Sequence, residues 1–174
     1  GIVAHHIPSY LRKNNLPSFK TNSIEDWEEK VNEICKETIN ENMTTIGGIP
    51  SWVQMYFETL LKKSNKKNIT ELFKGLSLFV YGGVNFYPYQ KIFNKLLGKK
   101  INTIEYYPAS EGFFAYQNSQ KDKSLLLQYN SGIFYEFIKT NEFESEKYTR
   151  YNLTNVEVGV NYILVVTSNA GLWA

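Results

Sequence analysis

The sequence predicts an α/β fold, a largely parallel sheet with flanking helices followed by an antiparallel β portion, and three observations carry that expectation. Two apolar runs, 76–81 and 100–107, alternate with amphipathic helical patterns and each ends in a glycine-containing turn, the grammar of βαβ units. From Leu125 onward short strand patterns follow one another with no long helix between them, which reads as an antiparallel meander. Thirteen tyrosines and eleven phenylalanines suit pleated, half-buried surfaces. The division expected is an α/β part over residues 1–120 and a β-rich part over 121–174.

Taken in order, residues from Ser23 to about Met43 form the clearest helix, because Trp27, Val31, Ile34 and Thr38 recur at spacings of four, three and four. Ser23 with Asp26 three residues on suggests its cap, and Glu25, Glu28, Glu29, Asn32 and Lys36 make its polar face. A short β-like stretch ends at Gly47-Gly48-Ile49-Pro50, and Pro50 opens a second helix running to about Lys63. Val53, Met55, Tyr56, Phe57, Leu60 and Leu61 surround much of that helix, so it should be well buried. Ile69 to Phe73 reads as one helical turn, and Tyr89 to Leu97 as a helix stopped by Gly98. Residues 125–129, 132–138 and 162–167 are the later strands, and no internal repeat or low-complexity tract is present.

Composition excludes several classes of function. A formal net charge of +2, with Lys62, Lys63, Lys66 and Lys67 interrupted by polar residues in an expected solvated loop, is no footprint for nucleic acid. No apolar run approaches the roughly 18 residues needed to span a bilayer, so no membrane partner is expected and the location expected is cytoplasmic. Cys35 is a single cysteine, which rules out an internal disulfide and reads as a buried structural thiol. His5-His6 is a poor metal motif, since adjacent residues point apart and no further His or Cys completes a site. Tyr106, Tyr116 and Tyr135 read as core aromatics rather than a pocket lining.

Two strand ends offer chemistry: Gly82-Gly83 and Ser110-Glu111-Gly112. In open parallel sheets ligands bind outside the carboxyl ends of strands, so two such ends would meet at one crevice. Glycines there allow the backbone to approach a flat ring or a phosphate. A serine hydroxyl donates to a phosphate oxygen, and a glutamate carboxylate is a hard oxygen ligand for Mg²⁺. The same residues also make plain turns and helix caps.

The stretch Tyr107-Pro108-Ala109-Ser110-Glu111-Gly112 resembles the Tyr-x-x-Ser-Glu-Gly nucleotide motif of the auxin-responsive Gretchen Hagen family of acyl-acid amido synthetases. The blocks 49–53, 79–84 and 159–167, the last followed by Asn169-Ala170-Gly171-Leu172, resemble that family's central region in its order, and are most similar to the bacterial members. The resemblance implies the large N-terminal domain of an adenylate-forming enzyme, which activates a small carboxylic acid with ATP and Mg²⁺ to an acyl-adenylate. An amine, typically an amino acid, then attacks to form an amide. On matching positions it implies that Tyr107 flanks adenine, Ser110 contacts the α-phosphate and Glu111 holds Mg²⁺. Gly82 and Gly83 would line the adenine site with backbone atoms, while Ser51, Trp52 and Val53 would begin a helix beside the acid pocket.

The family's glycine-rich phosphate loop is not found upstream, and the Tyr-Arg-x-Gly-Asp motif expected after Leu172 is not found downstream of Trp173. With Gly1 at its start and Leu172-Trp173-Ala174 at its end, the chain reads as a central fragment, expected to bind ATP poorly and to turn over nothing alone. Two other readings accompany this one: transfer of the acyl group to coenzyme A, and a non-catalytic binding module on the same scaffold.

Overall fold

The computed structural model describes residues 8–145 and 147–168; the His5-His6 pair, the Asn169 to Leu172 block and Trp173 lie outside them. The chain divides into two units, residues up to Glu105 and residues from Tyr106. The elements are α1 (Ser9–Arg12), α2 (Phe19–Asn22), α3 (Trp27–Thr38), β1 (Thr45–Gly47), α4 (Pro50–Ser64), α5 (Ile69–Leu72), β2 (Leu78–Gly82) and α6 (Tyr87–Leu97). They continue with β3 (Asn102–Ala109), β4 (Gly112–Tyr116), β5 (Leu126–Leu127), β6 (Ile133–Lys139) and β7 (Tyr162–Ser168).

In unit 1, β1 and β2 pair in parallel from Thr45↔Leu78 to Gly47↔Val80, the crossover between them being α4 and α5. Asn102 N then donates to Ser77 O at 3.1 Å, where β3 begins beside β2. The helices pack on this sheet through Val31 and Cys35 of α3, Phe57 and Leu60 of α4, Ile69 of α5 and Phe93 of α6, all buried. Phe79 is the hub: its ring lies 4.9 Å from Phe93, 5.5 Å from Phe86 and 5.6 Å from Tyr81. Cys35 is fully buried, and burial pushes its thiol up to about 11 despite the charge of Lys63, as befits a structural cysteine.

The caps correct one reading. α3 begins at Trp27, and its cap is Asp26, whose carboxylate accepts from Glu29 N at 2.7 Å. Ser23 instead closes α2, its hydroxyl donating to Phe19 O at 2.9 Å. The helix also stops at Thr38 rather than near Met43. Lys62 and Lys63 belong to the last turn of α4, where cations complement the helix dipole, and not to a loop.

α6 ends as expected at Gly98, whose φ of 78° is left-handed and whose amide donates to Asn94 O. A Cβ here would stand 2.5 Å from Asn68 Cγ and 2.8 Å from Asn68 Cβ, and Asn68 caps α5 by accepting from Glu71 N. Gly98→Ala therefore meets both a strained backbone and a crowded neighbouring cap. The expected loss is about 2 kcal/mol, read by chemical denaturation; an unchanged midpoint would mean that this turn relaxes freely.

Unit 2 is antiparallel. β3 pairs with β4 and β4 with β5, while β6 and β7 form a separate seven-residue ladder from Ile133↔Ser168 to Lys139↔Tyr162. Tyr151, between β6 and β7, and Phe137 of β6 exchange backbone hydrogen bonds of 2.8 and 2.7 Å. Among the described residues, Phe114, Ala115, Tyr135 and Ile138 are the buried apolar side chains of unit 2. The mixed α/β class with a following antiparallel portion is thus as expected. The antiparallel pairing, however, starts at β3–β4, a hairpin that the reading of residues 110–112 as a strand end leading to a crevice did not include. Among the described residues no helix is long and apolar enough to cross a membrane.

Candidate functional site

Ser110 and Glu111 are the two connecting residues of the β3–β4 hairpin, with Ala109 paired to Gly112 directly below them. Neither has a positive φ, so the turn lacks the mirror-image geometry that tight hairpins favour. The register shifts between Tyr107 and Pro108: Tyr107 faces Ala115 and Pro108 faces Phe113, leaving Phe114 as the extra residue. Proline cannot donate to the ladder and is accommodated at such a bulge, whose added twist re-aims the strand just before the tip. Phe114 and Ala115 are consecutively buried, as a bulge permits. Tyr107 is 45% exposed, its ring edge-on to Phe114 at 5.3 Å.

The tip borders a cavity of about 290 Å³ whose lining includes Glu111, Gly112, Phe113, Gln128, Ser131, Gly132, Ile133 and Ser168. Glu111 is the charged residue of that lining, and Gln128, Ser131 and Ser168 add amide and hydroxyl groups. The far wall is fixed by Gln128: its amide donates to Phe114 O at 2.7 Å, and its carbonyl accepts from Ser131 Oγ at 2.8 Å and Tyr135 Oη at 3.1 Å. Gly112 packs close to this wall: a Cβ there would lie 2.7 Å from Ile133 Cδ1, the end of a side chain that would have to turn aside. Sequence reasoning missed Gln128, Ser131 and Ser168; the Asn130-Ser131-Gly132 turn signal was the available clue to that wall.

The donor set fits a hard cation that arrives with a phosphate, because one carboxylate and neutral oxygens suit Mg²⁺ already coordinated by substrate oxygens. Among the described residues no group of three or more His, Cys, Asp or Glu forms a dedicated metal cage.

Gly82, Gly83, Ser51, Trp52 and Val53 belong to unit 1. Gly82 ends β2 and is buried, and Gly83 turns the chain with φ of 82°. Tyr81 just before them donates to Glu105 Oε2 at 3.1 Å; burial first, and then the Glu105 charge, pushes its hydroxyl up to about 12. Ser51, Trp52 and Val53 form the first turn of α4. Trp52 and Val53 line an apolar cavity of about 190 Å³, and Ser51 is not among the lining residues. Gly48 lets that turn approach: a Cβ on it would stand 2.9 Å from Val53 Cγ2. Trp52 is half exposed and its ring meets that of Trp27 at 4.8 Å.

The same cavity holds a buried hydroxyl pair. Thr38 Oγ1 donates its single proton to Ile34 O at 2.7 Å, so the 2.7 Å contact with Tyr56 is one in which Tyr56 donates. Burial holds the Tyr56 hydroxyl well above its usual range, in keeping with a donor that stays neutral. Thr38→Val leaves that hydroxyl without its acceptor, and a loss of about 1–3 kcal/mol is expected, measured by denaturant unfolding; Thr38→Ser, which restores the acceptor, should recover most of it.

Residues 126–174 match the model of the GH3 family central domain. No curated protein matches the chain. Among solved structures, the GH3.15 acyl acid amido synthetase superposes over 94% of this chain with a TM-score of 0.62 at 13% identity, a likeness of fold. This chain spans 39% of that protein's length. A long-chain-fatty-acid-CoA ligase (FadD1) from Archaeoglobus fulgidus covers 82% of this chain and 27% of its own, with a TM-score of 0.44 and 14% identity. The family model thus matches the C-terminal part of this chain, residues 126–174, and the amido synthetase shares its fold.

Proposed function

We propose that the chain forms the central part of an ATP-dependent ligase that activates a carboxylic acid as its acyl-adenylate and transfers the acyl group to an amine, an amino acid being the expected acceptor. The observation that carries this reading is the hairpin tip, where a two-residue turn sets Ser110 next to Glu111, Glu111 lines a cavity with Gln128, Ser131 and Ser168, and the exposed Tyr107 ring lies on the adjoining strand. Attack of a carboxylate on the α-phosphate brings two anions together, so catalysis rests on positioning and charge neutralisation.

In this reading Ser110 donates to an α-phosphate oxygen and fixes its position. Glu111 would hold Mg²⁺, which would supply the neutralising charge. Tyr107 offers its ring face to the adenine. Gly82 and Gly83, residues of unit 1, offer backbone atoms to the nucleotide as the family resemblance implies. Ser51, Trp52 and Val53 stand beside the acid.

The test is trapping. Incubated with ATP, Mg²⁺ and a panel of carboxylic acids, the complete enzyme is expected to yield hydroxamates when hydroxylamine replaces the natural acceptor, and amides when amino acids are supplied. Absence of hydroxamate with every acid would overturn adenylation; thioesters with coenzyme A and no amide would overturn the acceptor.

A further inference from the structure

Residues 8–22 run along unit 1 with most of their side chains in solvent: Tyr10 is 76% exposed, Leu11 42%, Leu16 39% and Phe19 59%. So little buried apolar surface gives a segment low local stability. The hydrogen bonds described from this segment to more distant residues converge on one carboxylate. Glu37, near the end of α3, accepts from Ser18 N, Ser18 Oγ and Thr21 Oγ1, each at 2.6 Å. Such distances mark charge-assisted bonds. Partial burial raises the Glu37 carboxyl, and the bonds from Ser18 and Thr21 outweigh it, so the group sits below its usual range.

What the segment covers gives the clasp a consequence. Leu16 and Pro17, immediately before Ser18, line the apolar cavity of unit 1 together with Trp27, Ile34 and Trp52. No charged residue is among those lining it. At about 190 Å³ it exceeds the roughly 150 Å³ of an engineered apolar hole that admits a benzene-sized guest.

We infer that residues 16–22 are a strap over this cavity, latched by Glu37, and that release of the latch opens the cavity to small uncharged apolar molecules. The strap is argued from unit 1 alone, although Trp52 and Val53 of the same cavity are the residues that the ligase reading places beside the acid.

The experiment uses the full chain with Trp52→Phe and Trp173→Phe, so that Trp27 alone reports. Hydrogen exchange is followed across the chain, and Trp27 is quenched with acrylamide. Glu37→Ala should speed amide exchange in residues 16–22 about tenfold or more and raise the quenching constant about twofold, while exchange in α4 stays as it was. Unchanged exchange in the strap, or faster exchange without greater quenching, would overturn the proposal. If Glu37→Ala also speeds exchange in α4, the Ser18→Ala/Thr21→Val pair decides, because it removes two donors from the strap and leaves α3 intact. The same two readouts then confirm or refute the latch.

Discussion

Glu111→Ala in the complete enzyme is expected to lower carboxylate-dependent ATP–pyrophosphate exchange by about a hundredfold or more, the scale of losing one electrostatic contact to a transition state. The reason is local. Glu111 is the charged residue lining the 290 Å³ cavity, so no neighbouring carboxylate in that lining can substitute for it. Being exposed at a hairpin tip, it contributes little to the fold, and the variant should unfold at the parent's denaturant midpoint. Glu111→Gln separates the charge from the shape: exchange should stay low although the side chain fits. Ser110→Ala should lose less, since a neutral hydroxyl donor is weaker than a carboxylate that orients a cation. Exchange retained in Glu111→Ala would remove this residue from the site while leaving adenylation itself open to the trapping test.

Phe79→Ala should have the largest effect on stability, about 3–5 kcal/mol, and lower Tm by roughly 10 °C. Phe79 is 1% exposed and its ring contacts those of Tyr81, Phe86 and Phe93, which lie on β2, the following turn and α6. Truncation therefore opens a hole at the junction of three parts of unit 1, each of which also loses ring contacts. Phe113→Ala is the control: its ring is 46% exposed and stacks loosely on Tyr106 and Tyr116 at 6.1 and 6.3 Å, and a change within about 0.5 kcal/mol is expected. Equal losses at the two positions would mean that the aromatic cluster around Phe79 is not the core.

The two long helices were legible because their apolar residues recur at helical spacing and bury where that spacing points: Val31, Cys35 and Thr38 on α3, and Val53, Phe57 and Leu60 on α4. Gly98 was legible for the same local reason. The cap of α3 was not, because Ser23 and Asp26 both satisfy the local rule, and tertiary packing gave Ser23 to the preceding helix. The β3–β4 hairpin escaped because its connection, Ser-Glu, carries none of the glycine or asparagine that announces a tight turn, and because Pro108 argues against a paired strand unless a bulge receives it. Ser110 and Glu111 were read as a strand end rather than a hairpin tip. The Glu37 clasp spans sixteen to nineteen residues with no periodic signature, and only the folded chain brings it together.

The most direct measurement is a crystal structure of the complete enzyme with Mg²⁺ and a non-hydrolysable acyl-adenylate analogue. The account predicts the α-phosphate within hydrogen-bond distance of Ser110 Oγ, Glu111 among the groups around the cation and Tyr107 against the adenine. A nucleotide bound elsewhere, with the Ser110–Glu111 tip left in solvent, would contradict it.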